Sequence, residues 1–183
     1  MADCPQSNSG HDVIVAGLFT LIGVLLGSFL GGIVQWHQEK KRRDHEEKSL
    51  ALSFKGGIAG LLSILRERQY VERLREIVAS FKRSNSFSLV KIQAKKDYTI
   101  LYNSNASKIG ILKEGIPELI AIFYTQVNGI MEDFEVMGTN DNLITPVASY
   151  IARIEELIAL LEKTEEIGDK IINKINEHYS VTS

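Results

Sequence analysis

The sequence of 183 residues is poor in the residue types that carry most protein chemistry. Its single cysteine, Cys4, excludes a disulfide within the chain and is expected to be a free thiol unless two copies pair through it. Its four histidines are never spaced three or four residues apart, so no helical turn offers two imidazoles to a metal ion. We therefore expect no metal and no cofactor.

Catalytic signatures are missing as well. The chain contains no G-x-x-x-x-G-K-[ST] phosphate loop, no G-x-S-x-G nucleophile elbow and no H-E-x-x-H zinc motif. The carboxylates of Glu155-Glu156 and Glu165-Glu166 fall on the outer face of an amphipathic helix, where they are read as solvating charge rather than as paired catalytic acids. The sequence predicts a protein that is not an enzyme and takes no small-molecule substrate.

Charge is absent between Val13 and Val34, and the rest of the chain is organised around this stretch. A helix of these 22 residues is roughly 33 Å long, enough to cross a hydrocarbon core of about 30 Å. The competing reading is a cleaved signal peptide, which would have a basic start and a shorter apolar run, whereas Met1 to Asp12 contains no Lys or Arg. The sequence predicts an uncleaved transmembrane helix over residues 13–34.

Positive charge follows this stretch closely, at Lys40, Lys41, Arg42 and Arg43. Because cytoplasmic loops are enriched in Lys and Arg, we expect residues 1–12 to form a short outer tail and the C-terminal region to be cytoplasmic. Trp36 and the four basic residues are predicted to anchor the chain at the cytoplasmic headgroups, so the lipid bilayer is an expected partner.

Glycines recur every fourth residue within the predicted span, at Gly23, Gly27 and Gly31. This spacing places a smooth strip on one face of the helix, along which another backbone can approach closely. Glycine is also frequent in membrane helices without such a role. The strip predicts helix packing in the membrane, with a second copy of the chain in a homo-oligomer or with a membrane protein partner.

The formal net charge of −2 conceals an asymmetry along the chain. From Trp36 to Arg83 there are 12 Lys/Arg and 7 Asp/Glu, a balance of +5, whereas from Ser84 to Ser183 there are 9 and 14, a balance of −5. The basic and acidic helices are predicted to attract one another in a bundle, or the basic stretch to lie against anionic headgroups. Nucleic acid is not an expected partner, because acids interrupt the basic stretch and aromatic residues are few there.

Periodic apolar residues predict helices through most of the region after the anchor. Residues 35–83 are expected to form one long juxtamembrane helix, with a bend or a close helix crossing at Gly56-Gly57, since each glycine weakens a helix by about 1 kcal/mol. Its predicted apolar stripe comprises Leu50, Phe54, Ile58, Leu61, Leu65, Val71, Leu74, Val78 and Phe81.

Residues 84–183 are predicted to complete the bundle. After a connector at 87–96 and a short helix near 98–112, Pro117 suits the first turn of a longer helix, and a loop at 138–142 precedes a last helix from near Leu143 to about His178. Both long helices repeat apolar residues at spacings of four and three, as coiled coils do. The sequence therefore predicts an all-α protein, one N-terminal transmembrane helix followed by a cytoplasmic antiparallel helical bundle. The predicted seams are Ile116, Ile120, Phe123, Val127, Ile130 and Phe134, then Leu143, Val147, Tyr150, Ile154, Leu157, Leu161, Gly168, Ile171 and Ile175, interrupted by Thr164.

A short motif precedes the first of these seams, with the pattern Y-x-x-N-x-x-K-I-G-x-L formed by Tyr102, Asn105, Lys108, Ile109, Gly110 and Leu112. With Pro117 and Phe123-Tyr124 downstream, it resembles a pattern in uncharacterised bacterial single-pass membrane proteins. These share a short outer N-terminus, an anchor, a basic juxtamembrane segment and a helical cytoplasmic domain. The resemblance covers residues 13–137 and implies this fold and a place in the bacterial inner membrane, without an assigned activity.

The residues of the motif also suggest local roles. Gly110 suits a tight turn or a close helix contact, and Asn105 and Lys108 suit hydrogen bonds to exposed backbone carbonyls. A structural corner between two helices is the favoured explanation of the pattern, and a ligand site is the alternative.

Together these features predict a membrane-anchored helical interaction or scaffold protein that binds itself or a membrane partner through the anchor. An accessory subunit of a larger membrane complex is a form of the same hypothesis. The alternative is an oligomeric pore-forming or membrane-perturbing effector with a cytoplasmic sensor bundle. The glycine strip motivates this alternative, but only Thr20 and Ser28 would offer polar lining to a pore.

Overall fold

The computed structural model describes residues 9–84, 96–137 and 146–179, and every element in these ranges is helical. The elements are α1 (Ser9–Glu67), α2 (Tyr70–Ser84), a 3₁₀ helix (Lys96–Thr99), α3 (Ile100–Asn105), a second 3₁₀ helix (Ala106–Ile111), α4 (Ile116–Met137) and α5 (Val147–Tyr179). Helix α5 packs against both α4 and α2. The predicted all-α class is confirmed.

The chain divides into two units, Met1–Glu46 and Glu47–Ser183. The first contains the predicted span as part of α1. The second is a helical bundle with its own core. The predicted connector at 87–96 falls almost wholly outside the described residues, as do the loop at 138–142, Leu143, and the tail before Ser9 with Cys4.

The predicted single helix over residues 35–83 is wrong at one point, because α1 ends at Glu67 and α2 begins at Tyr70. Gln69 between them has a φ of 51°, in the left-handed region that ends a helix. Its backbone N–H donates to the Arg66 carbonyl at 3.1 Å, which closes the last turn of α1. The sequence around Gln69 has no glycine or proline to signal this break.

The core consists of two clusters that α4 and α5 both cross. The first joins α1 to the start of α4 and the end of α5, through Phe54, Ile58, Leu62, Ile116, Ile120, Phe123, Tyr124, Ile171 and Ile175. The second joins α2 to the end of α4 and the start of α5, through Val71, Leu74, Val78, Phe81, Ile130, Phe134, Tyr150, Ile154, Leu157 and Leu161. Helix α1 contributes its buried side chains to the first cluster and α2 to the second. The apolar stripe therefore passes from the first cluster to the second at the break around Gln69.

Burial confirms most of the predicted stripe positions. All six seam residues of α4 are buried, as are those of α5 from Tyr150 to Ile175, whereas Val147 is only partly buried. In α1, Leu61 and Leu65 are partly buried and Leu62 takes the central place. Thr164, predicted to interrupt the seam, is fully buried, and its hydroxyl donates to the Leu160 carbonyl at 2.7 Å.

Two glycines allow helices to approach closely. A Cβ at Gly57 would lie 2.5 Å from Leu101 Cδ2, so the predicted close crossing at Gly56-Gly57 occurs at the second glycine, while Gly56 faces open space. A Cβ at Gly168 of α5 would lie 3.0 Å from both Cδ atoms of Leu62 and from Phe123 Cε2. Gly168 therefore marks the point where α1, α4 and α5 meet most tightly.

Ion pairs join the basic helices to α5, as the charge asymmetry predicted. Residue numbers rise along α1 and α2 while those of their partners fall along α5, so α5 runs antiparallel to them. Such exposed pairs contribute about 0.2 to 1 kcal/mol each, and they favour one register of the helices more than they add stability. The pairs are Arg66 with Asp169 at 2.6 Å and with Glu165 at 3.6 Å, Arg75 with Glu162, and Lys82 with Glu155 at 2.7 Å.

Candidate functional site

The glycine strip lies on an uncovered helix surface where the structure describes it. A Cβ at Gly27 or Gly31 would meet no atom within 4 Å, and Gly23 lies where no side-chain surroundings are described. Nearby apolar side chains are also exposed, to 68 % for Phe29 and 55 % for Val34. Separately, by length and composition alone, the described helical stretch Gly27–Ser84 contains a segment apolar enough to cross a membrane, of which 28 % is buried, whereas the side chains of residues 13–26 of the predicted span lie outside the described part of the chain. This surface is apolar and can accept lipid or another helix.

The basic residues after the span are partly neutralised by two carboxylates, that of Glu39 and that of Glu46, which lies 3.4 Å from Arg42 Nη1. Arg42 donates to both oxygens of Glu39, at 2.8 and 2.9 Å, and Arg43 Nε donates to Oε1 at 2.9 Å. The hydrogen bonds from Arg42 and Arg43 lower the pKa of Glu39 to about 2. Lys40 Nζ lies 5.9 Å from the centroid of the Trp36 ring, within the range of a cation–π contact.

The predicted anchor therefore divides into two kinds of basic residue. Arg42 and Arg43 are tied to Glu39, whereas Lys40 accompanies Trp36 and Lys41 is exposed. Trp36 is itself 67 % exposed. An exposed tryptophan beside lysines combines an apolar ring with positive charge, as interfacial anchors do.

The residues of the Y-x-x-N-x-x-K-I-G-x-L motif have different structural roles. The ring of Tyr102 stacks on Tyr124 with centroids 4.9 Å apart and an interplanar angle of 16°. Asn105 Nδ2 donates to the Leu101 carbonyl at 2.9 Å, as predicted, while Lys108 is exposed. Gly110 lies in a 3₁₀ helix and a Cβ there would meet no atom within 4 Å, so the expected close contact is absent at this residue.

A tight turn does occur at Gly110, because the Leu112 N–H donates to the Ile109 carbonyl at 3.1 Å around it, but the turn that needs a positive φ lies five residues further on. Gly115 has a φ of +76°, which L side chains rarely adopt, and α4 begins at the next residue. Pro117 then occupies the first turn of α4, where its missing N–H is harmless. The turn with a positive φ therefore lies outside the motif.

The partner of Tyr102 has an unusual environment. Tyr124 is fully buried, and among the described residues its hydroxyl is the one buried side-chain N or O atom that lacks a hydrogen-bond partner. Phe54 and Phe123 approach its ring edge-on, with centroids at 6.1 and 5.3 Å. Burial raises the pKa of Tyr124 to about 12. The sequence offered Tyr124 only as part of the resemblance.

A polar cluster that was not predicted joins the interior of α1, the residues just before α4 and the end of α5. Tyr179, near the end of α5, donates its hydroxyl proton to Glu47 at 2.6 Å and accepts the backbone N–H of Lys113 at 2.9 Å. Lys113 Nζ lies 3.3 Å from the same Glu47 oxygen. The one sequence signal was that Tyr179 follows Ile175 by four residues and so continues the seam of α5.

One small cavity lies inside the described part of the bundle. This cavity of about 30 Å³, enough for a few atoms, lies between α1, α2, α4 and the residues before α3, and it is lined by Leu61, Ile64, Leu65, Tyr70, Tyr98, Val127, Ile130, Met131 and Phe134. In the described parts of the chain, no group of three or more His, Cys, Asp or Glu could hold a metal ion. The candidate functional surfaces are the anchor, which exposes apolar and basic side chains, and the region around Tyr124, which buries a hydroxyl without a hydrogen-bond partner.

Comparison with known proteins adds no relative. No family model matches the chain, and no curated protein or solved structure is significantly similar to it. The motif resemblance remains a prediction, and function has to be inferred from the geometry.

Proposed function

We propose that the chain is a single-pass protein of the bacterial inner membrane, whose anchor holds a cytoplasmic helical bundle that serves as an interaction or scaffold module. The observation that carries this proposal is the contrast between the two units. In Met1–Glu46 the described apolar side chains are exposed, whereas Glu47–Ser183 encloses its own core. Exposed apolar residues on this scale need lipid or a partner to cover them.

The proposed orientation is an outer N-terminus and a cytoplasmic bundle. Its support is the charge pattern, with no Lys or Arg before the span and Lys40, Lys41, Arg42 and Arg43 after it. The exposed Trp36 ring and the Lys40 ammonium suit the boundary between lipid tails and headgroups. The glycine strip then faces the lipid, where a second copy or a membrane protein can pack on it.

Membrane attachment and orientation can be tested with the only cysteine of the chain. Cys4 is expected to react with a membrane-impermeant thiol reagent from outside intact spheroplasts. In a Cys4→Ser, Ser149→Cys variant, the exposed Ser149 position on α5 is expected to react only after the membrane is opened. A chain lacking residues 1–36 is expected to lose its membrane fraction and stay in solution, because the bundle retains its core. Labelling of position 149 in closed spheroplasts would contradict the orientation, and membrane retention of the truncated chain would contradict the anchor.

The glycine strip can be tested by native mass measurement in mild detergent. We expect the full chain to be a defined homo-oligomer or a stoichiometric complex with another membrane protein, and Gly27→Leu to dissociate it, because leucine separates the two backbones. Gly32→Leu is the matched control, since Gly32 is equally open but lies about 100° around the helix from Gly31. A chain that is monomeric before any substitution, or equal dissociation by both variants, would contradict packing through the strip.

A further inference from the structure

The segment between α2 and α4 is the least regular part of the bundle that the structure describes. Residues 98–112, here called the strap, comprise the end of one 3₁₀ helix, the six residues of α3 and a second 3₁₀ helix. Neither α3 nor the 3₁₀ helix after it has a side-chain hydrogen bond at its N-cap. Helices this short have no stability of their own in water, so the strap is held by what it packs against.

The strap packs on a floor formed by Gly57 and Tyr124. The Tyr102 ring covers the Tyr124 ring face to face, and Leu101 Cδ2 lies so close to Gly57 that only glycine fits there unless Leu101 moves. The strap also carries two exposed apolar side chains, Ile100 at 56 % and Ile111 at 44 %. Among the buried residues of the first cluster, Leu112 is the strap's one contribution, and the others come from α1, α4 and α5. The strap also packs partly buried side chains against this cluster, those of Tyr98, Leu101, Tyr102 and Ile109.

Closure of the strap leaves one polar group unsatisfied. The Tyr124 hydroxyl has no hydrogen-bond partner in the closed arrangement, although water would bond to it as soon as it was uncovered. A buried hydroxyl without a partner favours any conformation that hydrates it. The same contact that seats the strap therefore also lowers the free energy needed to lift it.

We infer that the strap undocks from Gly57 and Tyr124 as a unit while α1, α2, α4 and α5 stay packed. On opening, the Tyr102 and Tyr124 rings separate and Leu101 moves away from Gly57. The Tyr124 hydroxyl then forms a hydrogen bond to water. The four helices keep the second cluster whole and the first without Leu112, because all its other buried residues are their own side chains. The strap is thus an element of the bundle with two positions. It covers the Tyr124 hydroxyl when it is docked and exposes this hydroxyl to water when it is undocked.

Hydrogen exchange of the full-length protein in mild detergent tests this inference. Backbone amides of the strap are expected to be protected at least about 100-fold less than those in the middle of α4, because local opening requires less free energy than global unfolding. Equal protection of the two sets would mean that the strap opens only when the whole bundle unfolds, which would overturn the inference.

A second measurement tests whether opening uncovers Tyr124. Tyr124→Phe removes the hydroxyl that gains water on opening, so strap amides should exchange about tenfold more slowly than in the unmodified chain. Tyr150→Phe is the matched control, because Tyr150 is also fully buried but belongs to the second cluster, and the strap amides should not respond to it. If Tyr124→Phe slowed exchange in α4 and left the strap unchanged, the strap would open without hydrating Tyr124, and the inference would be wrong.

Discussion

Replacement of Gly168 by leucine is expected to lower the free energy of unfolding of the bundle by about 3 kcal/mol, the upper part of the usual range for overpacking. Even a single Cβ at this position would lie 3.0 Å from Leu62 on α1 and from Phe123 on α4. Both neighbours are fully buried and have no free space into which to move. The three further carbons of leucine would push α5 away from both helices and open the first cluster.

The matched control is Gly60→Leu. Gly60 also lies inside a helix of the bundle, but it is exposed and a Cβ there would meet no atom within 4 Å. Because leucine is the better helix former, Gly60→Leu is expected to raise the free energy of unfolding by about 0.5 to 1 kcal/mol. Urea unfolding of the full chain in mild detergent, followed by circular dichroism, measures both changes. Equal effects of the two substitutions would show that α1, α4 and α5 do not meet at Gly168.

The bundle is expected to lose stability as the pH rises from 10 to 12. Tyr124 and Tyr179 both have a pKa raised from 10.0 to about 12, by burial in each case, with the hydrogen bond to Glu47 adding to the shift of Tyr179. Between these two pH values the unfolded chain releases the phenolic protons while the folded chain retains them. Deprotonation of these groups therefore leaves the free energy of unfolding unchanged below pH 10 and lowers it progressively as the pH approaches 12. At about 1.4 kcal/mol for each pKa unit, each tyrosine accounts for about 2 to 3 kcal/mol.

The comparison of phenylalanine variants isolates this effect from the titration of lysines, which all the proteins share. Tyr124→Phe should remove the part of the fall in unfolding free energy between pH 10 and pH 12 that comes from Tyr124, and Tyr179→Phe the part that comes from Tyr179. The double variant should remove both parts. At neutral pH the two should differ in sign. Tyr124→Phe removes an unpaired hydroxyl and should stabilise the bundle by about 1 kcal/mol, whereas Tyr179→Phe loses two hydrogen bonds and should destabilise it by about 1 to 2 kcal/mol. Parallel pH profiles for all four proteins would contradict the burial of both phenols.

Most of the helical faces could be predicted because their signal is local. The α4 seam from Ile116 to Phe134 shows its period within the helix itself, and every one of its predicted residues is buried. The attraction between basic and acidic helices was predictable from composition alone, yet the pairing of Arg66 with Asp169 was not, because it depends on the register of helices 103 residues apart in the chain. The predicted anchor residues could be named from charge, but not the Glu39 carboxylate that Arg42 and Arg43 share.

Other features were predicted incompletely, because the residue type at a position allows more than one local structure. Glycine permits both a turn and a close contact. Gly110 lies in a 3₁₀ turn without a close contact, whereas Gly115 makes the turn with a positive φ and the closest approaches are at Gly57 and Gly168. The end of α1 was not predicted, because Gln69 adopts a positive φ that its residue type does not favour. That conformation is maintained by the packing of α1 and α2 on two different clusters.

The sequence by itself determined the helical class, the uncharged run from Val13 to Val34 and the apolar faces of the long helices. These follow from patterns that repeat every few residues, because a helix brings together residues three and four positions apart. Tertiary structure alone decided that Tyr124 lies under Tyr102 without a hydrogen-bond partner and that Tyr179 bridges Glu47 and Lys113. Such contacts join residues far apart in the chain, and their identity depends on how whole helices pack.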